Sequence, residues 1–164
     1  MLQCICLDWG GTLMHEDGPA ALPMALWPQV QAVAGAQATL AALARHWPLH
    51  IATNAAVSTP LQVQLALQRV GLAGFIQQIF CAPEIGARKD EAAFWQAVQI
   101  RTGVPLTAMA MVGDSLAQDV LGPARCGLHT VWFHPDAGHT LPPPGIAQVA
   151  RLPDLVPHFL ARRW

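Results

Sequence analysis

Five short, largely apolar runs punctuate this chain, and the first is ended abruptly by Asp8-Trp9-Gly10-Gly11. The runs are Leu2–Leu7, Leu49–Thr53, Ile76–Ala82, Ala108–Val112 and Leu128–Phe133. Leu2–Leu7 reads as a buried strand, and the other four runs read as strands. Between them lie stretches of helical character. From Gln29 to His46, Val30, Val33, Ala36, Leu40 and Leu43 recur at steps of three or four and predict one apolar helix face. Ser58 or Thr59 can cap a second helix with Pro60 in its first turn and Gly71 at its close. Asp90–Thr102, a short segment over Ala117–Arg125 and a terminal Leu152–Arg162 complete the set, with a Pro-rich surface loop over 135–144. Strands alternating with helices imply a parallel sheet covered by helices on both faces, a three-layer α/β architecture. Ligands of such sheets sit beyond the carboxyl ends of the strands.

Those strand ends carry the chemistry. Asp8 follows the first strand, Thr53 ends the second and Asp114 follows the fourth. The chain has a single lysine, Lys89, just before a predicted helix. An aspartate at a strand end can act as a nucleophile toward phosphorus. Asp114 and Asp119, beside a glycine turn, suit oxygen ligation of Mg²⁺. Thr53 and the amide of Asn54 can donate hydrogen bonds to phosphate oxygens, and Lys89 can offset the charge of nucleophile and substrate. Gly11 permits close backbone approach, and Thr12 can fix the loop. Each feature alone is common in turns and caps; the ordered set, each on its own element, points to a phosphoryl group.

Composition narrows the classes. At 164 residues, with 53% hydrophobic content, residues 1–164 suit one domain with an ample core. Charged residues are 12% and the net charge is −1, with no basic run, so nucleic acid is not an expected partner. Gly18–Ala44 carries no charge, but Pro19, Pro23, Pro28 and several glutamines make a membrane span unexpected. No signal peptide is visible, because the Leu2–Leu7 run is short and meets Asp8 directly. The cysteines Cys4, Cys6, Cys81 and Cys126 lack metal-type spacing and fit a reducing, cytoplasmic setting.

The ordered motifs resemble the haloacid dehalogenase superfamily in its phosphatase branch. The first motif of that family, D-x-D-G-T-[LV], reads here Asp8-Trp9-Gly10-Gly11-Thr12-Leu13. Thr53 matches the second motif, Lys89-Asp90 the third without its usual proline, and Gly113-Asp114-Ser115-Leu116-Ala117-Gln118-Asp119-Val120 the fourth. Gly122-Pro123-Ala124-Arg125-Cys126-Gly127 also looks like the helix that follows the fourth motif. The resemblance implies a Rossmann-like sheet of strand order 3-2-1-4-5 and an aspartyl-phosphate on Asp8. It implies Mg²⁺ held by Asp8, the carbonyl of Gly10 and Asp114, with Asp119 binding it or orienting its waters. It also implies a capless domain, since neither the Leu13–Leu49 nor the Cys81–Lys89 interval has room for a large insertion. Capless relatives take macromolecular substrates or borrow a cover from another subunit. The expected partner is thus a phosphorylated small molecule or macromolecule, with a homo-oligomer as one way to cover the open site.

Gly10 departs from the family. In family phosphatases the residue at this position protonates the leaving group and then activates water, and glycine does neither. Such help is worth ~10²–10⁴-fold in rate. The expectation is therefore a Mg²⁺-dependent phosphohydrolase that is slow or substrate-restricted. The alternative is a non-catalytic or regulatory member that binds phosphate or a partner protein. P-type ATPases carry threonine at this position and keep their phosphoenzyme longer, so a persistent aspartyl-phosphate fits the pattern too. A lysine Schiff base, as in phosphonoacetaldehyde hydrolases, is not open to a chain whose one lysine is already assigned. His15 is the nearest histidine that can stand in for the acid. Trp9, Met24 and Trp27 either form an apolar rim at the site mouth or pack in the core. His134, Asp136 and His139 form a loose metal-like spacing in a loop, and Arg162-Arg163-Trp164 reads as a solvated tail.

Overall fold

The computed structural model describes residues 1–136 and 141–162. Its centre is a six-stranded parallel sheet in the order β3-β2-β1-β4-β5-β6. In chain order the elements are β1 (Cys4–Leu7), α1 (Ala36–Leu43), β2 (Leu49–Thr53), α2 (Pro60–Arg69), β3 (Ile76–Cys81), α3 (Ala82–Ile85) and α4 (Ala92–Thr102). They continue with β4 (Met109–Gly113), α5 (Gly122–Arg125), β5 (His129–Phe133), β6 (Ala147–Val149) and α6 (Leu155–Ala161). The expected 3-2-1-4-5 order is present, extended by one strand.

Strand alternation divides the core into two layers. Ile5, Leu7, Leu49, Ile51, Val112 and Val131 point to one side, where Leu40 and Leu43 of α1, Val63 and Leu67 of α2, and Phe159 of α6 cover them. Cys4, Cys6, Met109 and Met111 point to the other, against Phe94, Trp95 and Val98 of α4. β1, β2 and β4 are buried along their whole length, which is why they read as unbroken apolar runs. The four cysteines are free. No helix among the described residues is long and apolar enough to cross a membrane.

Helix ends follow local chemistry. Thr59 caps α2: its hydroxyl accepts from the Gln62 amide, and the Gln62 side chain accepts from the Thr59 amide, with Pro60 in the first turn. The helix foreseen over Gln29–His46 is shorter. Gly35 takes a left-handed backbone conformation, φ 81°, and α1 starts only after it. The preceding residues instead pair with the loop after β1. The Val33 amide donates to the Leu13 carbonyl at 2.9 Å, and the His15 amide to Gln31 at 3.0 Å. Val30 and Val33 still pack against the core, so their helical spacing reflects burial rather than helix. The segment foreseen as a helix over Ala117–Arg125 is a π-helical turn, Leu116–Leu121, running into α5. Pro123 has no amide hydrogen to continue an upstream ladder, and π turns recur beside functional sites. β6 was not foreseen. It is three residues long, follows the prolines, and pairs with β5 from Val131↔Ala147 to Phe133↔Val149.

Residues 15–31 form an excursion folded back on the domain. Trp9, Met24 and Trp27 are all buried in the core, so they form no apolar rim. Trp27 Nε1 donates to the carbonyls of Pro19 and Leu22, and the Arg69 guanidinium donates to those of Ala25, Trp27 and Pro28. Arg69→Ala removes three charge-assisted bonds to backbone at an exposed position. It should cost about 1–3 kcal/mol in urea unfolding and expose the 15–31 segment to limited proteolysis.

Candidate active site

Sheet topology brings the strand-end residues to one mouth. Asp8 leaves β1 with its amide bonded to the Val112 carbonyl at 2.8 Å, which sets it beside the end of β4. Lys89 enters from the loop before α4 and is 2% exposed. Its ammonium lies 2.5 Å from Asp8 Oδ1 and 2.6 Å from Asp119 Oδ1, the latter an ion pair rather than an aligned hydrogen bond. The Lys89 backbone is held from two sides. Its amide donates to Asn54 Oδ1 at 2.9 Å, and its carbonyl accepts from Trp95 Nε1 at 2.6 Å. The Asn54 carboxamide also donates to Gln118 Oε1 at 2.9 Å, so it ties the loop after β2 to the turn after β4.

Thr12 sits on the opposite side of Asp8. Its hydroxyl lies 3.1 Å from Asp8 Oδ2 and 3.2 Å from Asp114 Oδ1, and it accepts from the Asp114 amide at 3.1 Å. Gly11 has φ 80°, and a Cβ there would stand 2.7 Å from Asp114 Oδ2, so no other residue fits without displacing that carboxylate. Asp119 is 1% exposed and accepts from the Ser115 amide at 3.0 Å. Thr53 accepts from the Ala55 amide, and its hydroxyl proton has no acceptor among the described residues.

Asp8, Asp114 and Asp119 each offer an oxygen within 4.8 Å of the others. Three carboxylates face the Lys89 ammonium. Burial, then the charge of Asp8, pushes the Asp119 carboxyl up to about 7, against the pull of Lys89. Burial and Asp8 also raise Asp114. For Lys89, burial works to lower its pKa, but Asp8 and Asp119 outweigh it and hold the ammonium charged. An all-oxygen donor set with surplus negative charge is what a hard divalent cation requires.

The cleft around these groups encloses about 370 Å³ and is also lined by Gly10, Glu16, Arg88 and Ser115. Sequence reasoning singled out neither Glu16 nor Arg88 as a site residue. Glu16 reaches the cleft because the 13–15 ladder turns the chain back over Gly10. A Cβ on Gly10 would lie 2.9 Å from the Glu16 Cδ and Oε1. The sequence signal available was an acid shortly after a first motif that lacks its second acid at Gly10. His15, considered as a substitute acid, instead lines a separate groove with Gly11, Val33 and Phe133. His134 stacks on Trp132 with ring centroids 4.4 Å apart, and its suggested companion His139 lies outside the described residues, as do Arg163 and Trp164.

Residues 23–127 match the family model described as haloacid dehalogenase-like hydrolase. The chain belongs to that family. Among curated relatives, a pyrimidine 5'-nucleotidase, PynA, from Streptococcus pneumoniae is 31% identical over 109 residues, covering 65% of this chain and 45% of that protein. A ribulose-1,5-bisphosphate 5-phosphatase from Halopiger xanaduensis is 32% identical over 74 residues, 44% of this chain and 31% of that one. The chain thus spans less than half the length of these relatives. Among solved structures, an uncharacterised protein from Listeria monocytogenes superposes with a TM-score of 0.83 at 21% identity, covering 98% of both chains. That likeness shows the fold, which the two chains share along nearly their whole length.

The Asp119 carboxyl titrates above its ordinary 3.8 in the fold, so folding takes up a proton between that value and about 7. Its contribution therefore favours the metal-free fold at low pH and is lost as pH rises through about 7. In metal-free buffer, urea stability should fall across that window, and Asp119→Asn should flatten the slope. Gly11→Ala should cost about 1–3 kcal/mol from left-handed strain and the clash with Asp114, read by thermal unfolding.

Proposed function

We propose that the cleft is the active site of a Mg²⁺-dependent phosphohydrolase that works through an aspartyl-phosphate on Asp8. One observation carries this reading. The Asp8 carboxylate is clamped between the Lys89 ammonium on one oxygen and the Thr12–Asp114 pair on the other. That clamp fixes the rotamer of Asp8 at a strand end that opens to a polar cleft, as a nucleophile requires. The curated relatives, a nucleotidase and a sugar-bisphosphate phosphatase, support a phosphate monoester as substrate.

The cation would be held by Asp8, the Gly10 carbonyl and Asp114, with Asp119 behind them. When bound, Mg²⁺ supplies charge neutralisation between nucleophile and phosphate dianion. The residues of the chain do the rest. Thr53 offers its free hydroxyl proton to a phosphate oxygen. Lys89 opposes the charge that gathers on Asp8 and the transferred group. Asn54 positions Lys89 through its backbone amide. Asp8 forms a bond to phosphorus as the ester oxygen departs, and water then releases phosphate and restores Asp8. A reducing, cytoplasmic setting suits the four free cysteines.

The test uses p-nitrophenyl phosphate, whose leaving group departs with little need of a proton. Release of p-nitrophenol should require Mg²⁺, stop with EDTA, and fall by on the order of 10³-fold or more in Asp8→Asn. An acid-quenched digest should carry phosphate on the peptide that contains Asp8. If Asp8→Asn and the wild type release phosphate equally, the site is not a phosphatase site, and a phosphate-binding regulatory role takes its place. Saturating Mg²⁺ at ~100 times its dissociation constant should stabilise the fold by about 2.7 kcal/mol, and Asp114→Asn should abolish that gain.

A further inference from the structure

We infer that Glu16 supplies the catalytic carboxyl group that position 10 lacks, an assignment that rests on the phosphatase reading above. The two positions compete for one volume. The Glu16 carboxyl stands where a side chain from residue 10 would begin, with Cδ and Oε1 each 2.9 Å and Oε2 3.2 Å from an ideal Cβ on Gly10. Glycine at position 10 is what lets that carboxyl in. Glu16 lines the same cleft as Asp8, Thr53, Lys89 and Asp114. No hydrogen bond or ion pair to a described residue holds the carboxyl, so the fold gives it no structural task.

Its approach is nonetheless built. Met14 bridges both Gly10 and Ala32, and the His15 amide is bonded to Gln31, so the ladder ends one residue before Glu16. Beyond it, Gly18 lies flat against the Trp27 ring, where a Cβ would collide. Arg69 then pins the far arm of the excursion by three carbonyls. Glu16 is exposed at the cleft mouth, where a leaving group and a water molecule both have access. Of the neighbouring polar side chains, His15 lines another groove and Asp17 does not line this cleft.

The proton balance closes. As an Asp8 oxygen bonds to phosphorus and the ester P–O bond breaks, the Glu16 carboxylic acid gives its proton to the departing oxygen, which leaves as an alcohol. Glu16, now a carboxylate, takes a proton from water as the water oxygen bonds to phosphorus and the P–O bond to Asp8 breaks. Inorganic phosphate departs, and both carboxyl groups return to their starting states.

The experiment compares wild-type chain, Glu16→Gln, Glu16→Ala and the double variant Gly10→Asp/Glu16→Ala in saturating Mg²⁺. Phenyl phosphate needs a proton on its leaving oxygen, and p-nitrophenyl phosphate scarcely does. In Glu16→Gln, steady turnover of phenyl phosphate should fall ~10²–10⁴-fold, while the first-turnover burst of p-nitrophenol should fall less than about tenfold. The double variant, with an acid restored in the vacated volume, should turn over phenyl phosphate faster than Glu16→Ala. Equal rates for Glu16→Gln and wild type on both esters, or equal losses on both, overturn the assignment while leaving the phosphatase reading in place. A Mg²⁺ affinity of Glu16→Gln weakened in step with its rate, by calorimetry, places Glu16 on the metal and also overturns it. Should wild type release no more phosphate than Asp8→Asn, the failure lies in the phosphatase reading itself. Thermal unfolding of each variant separates a lost fold from a lost carboxyl.

Discussion

A single buried ammonium holds this site together. Lys89 joins carboxylates from two distant segments, one after β1 and one in the π turn after β4. Two buried carboxylates without that partner would each carry a desolvation penalty of several kcal/mol. The surroundings are arranged to keep the lysine there. Trp95 takes its carbonyl from inside the α4 layer, and Asn54 takes its amide from the end of β2. The ammonium thus depends on the α4 layer and on the loop after β2, and the geometry of the cleft depends on the ammonium. Even so, burial and then the charge of Asp8 raise Asp114 and Asp119, and Lys89 only partly offsets this at Asp119.

The fold was legible because its central strands, β2, β1 and β4, are buried on both faces. β1, β2, β4 and β5 announced themselves as apolar runs, and their polar terminators named Asp8, Thr53 and Asp114. The same patterning misled where burial occurred without helix. Val30 and Val33 keep helical spacing but belong to a ladder with the loop after β1. Gly35 decides the matter, since its positive φ interrupts any helix through it. β6 was illegible for the opposite reason, being three residues of mixed character after a run of prolines.

Within the site, residues near motifs in sequence were found, and one that arrives by chain reversal was missed. Gly10 reads as a plain absence until Met14 is seen folding the chain back over it. The aromatic residues near the first motif were ambiguous for a related reason. Trp9, Met24 and Trp27 lie under the excursion that delivers Glu16, so their burial belongs to its support. Only coordinates distinguish a side chain that supports a loop from one that lines a mouth.

The two margins of the sheet carry a further consequence. β3 presents Gln77 and Gln78 outward along one border, and β6 closes the other with a segment of three residues. A very short border is a poor template for a foreign strand. Without its last strand, β5 would offer Val131, Trp132 and Phe133 along an open rim. That short terminal ribbon therefore acts as a guard against lateral aggregation, a service unrelated to the chemistry at the other end of the strands.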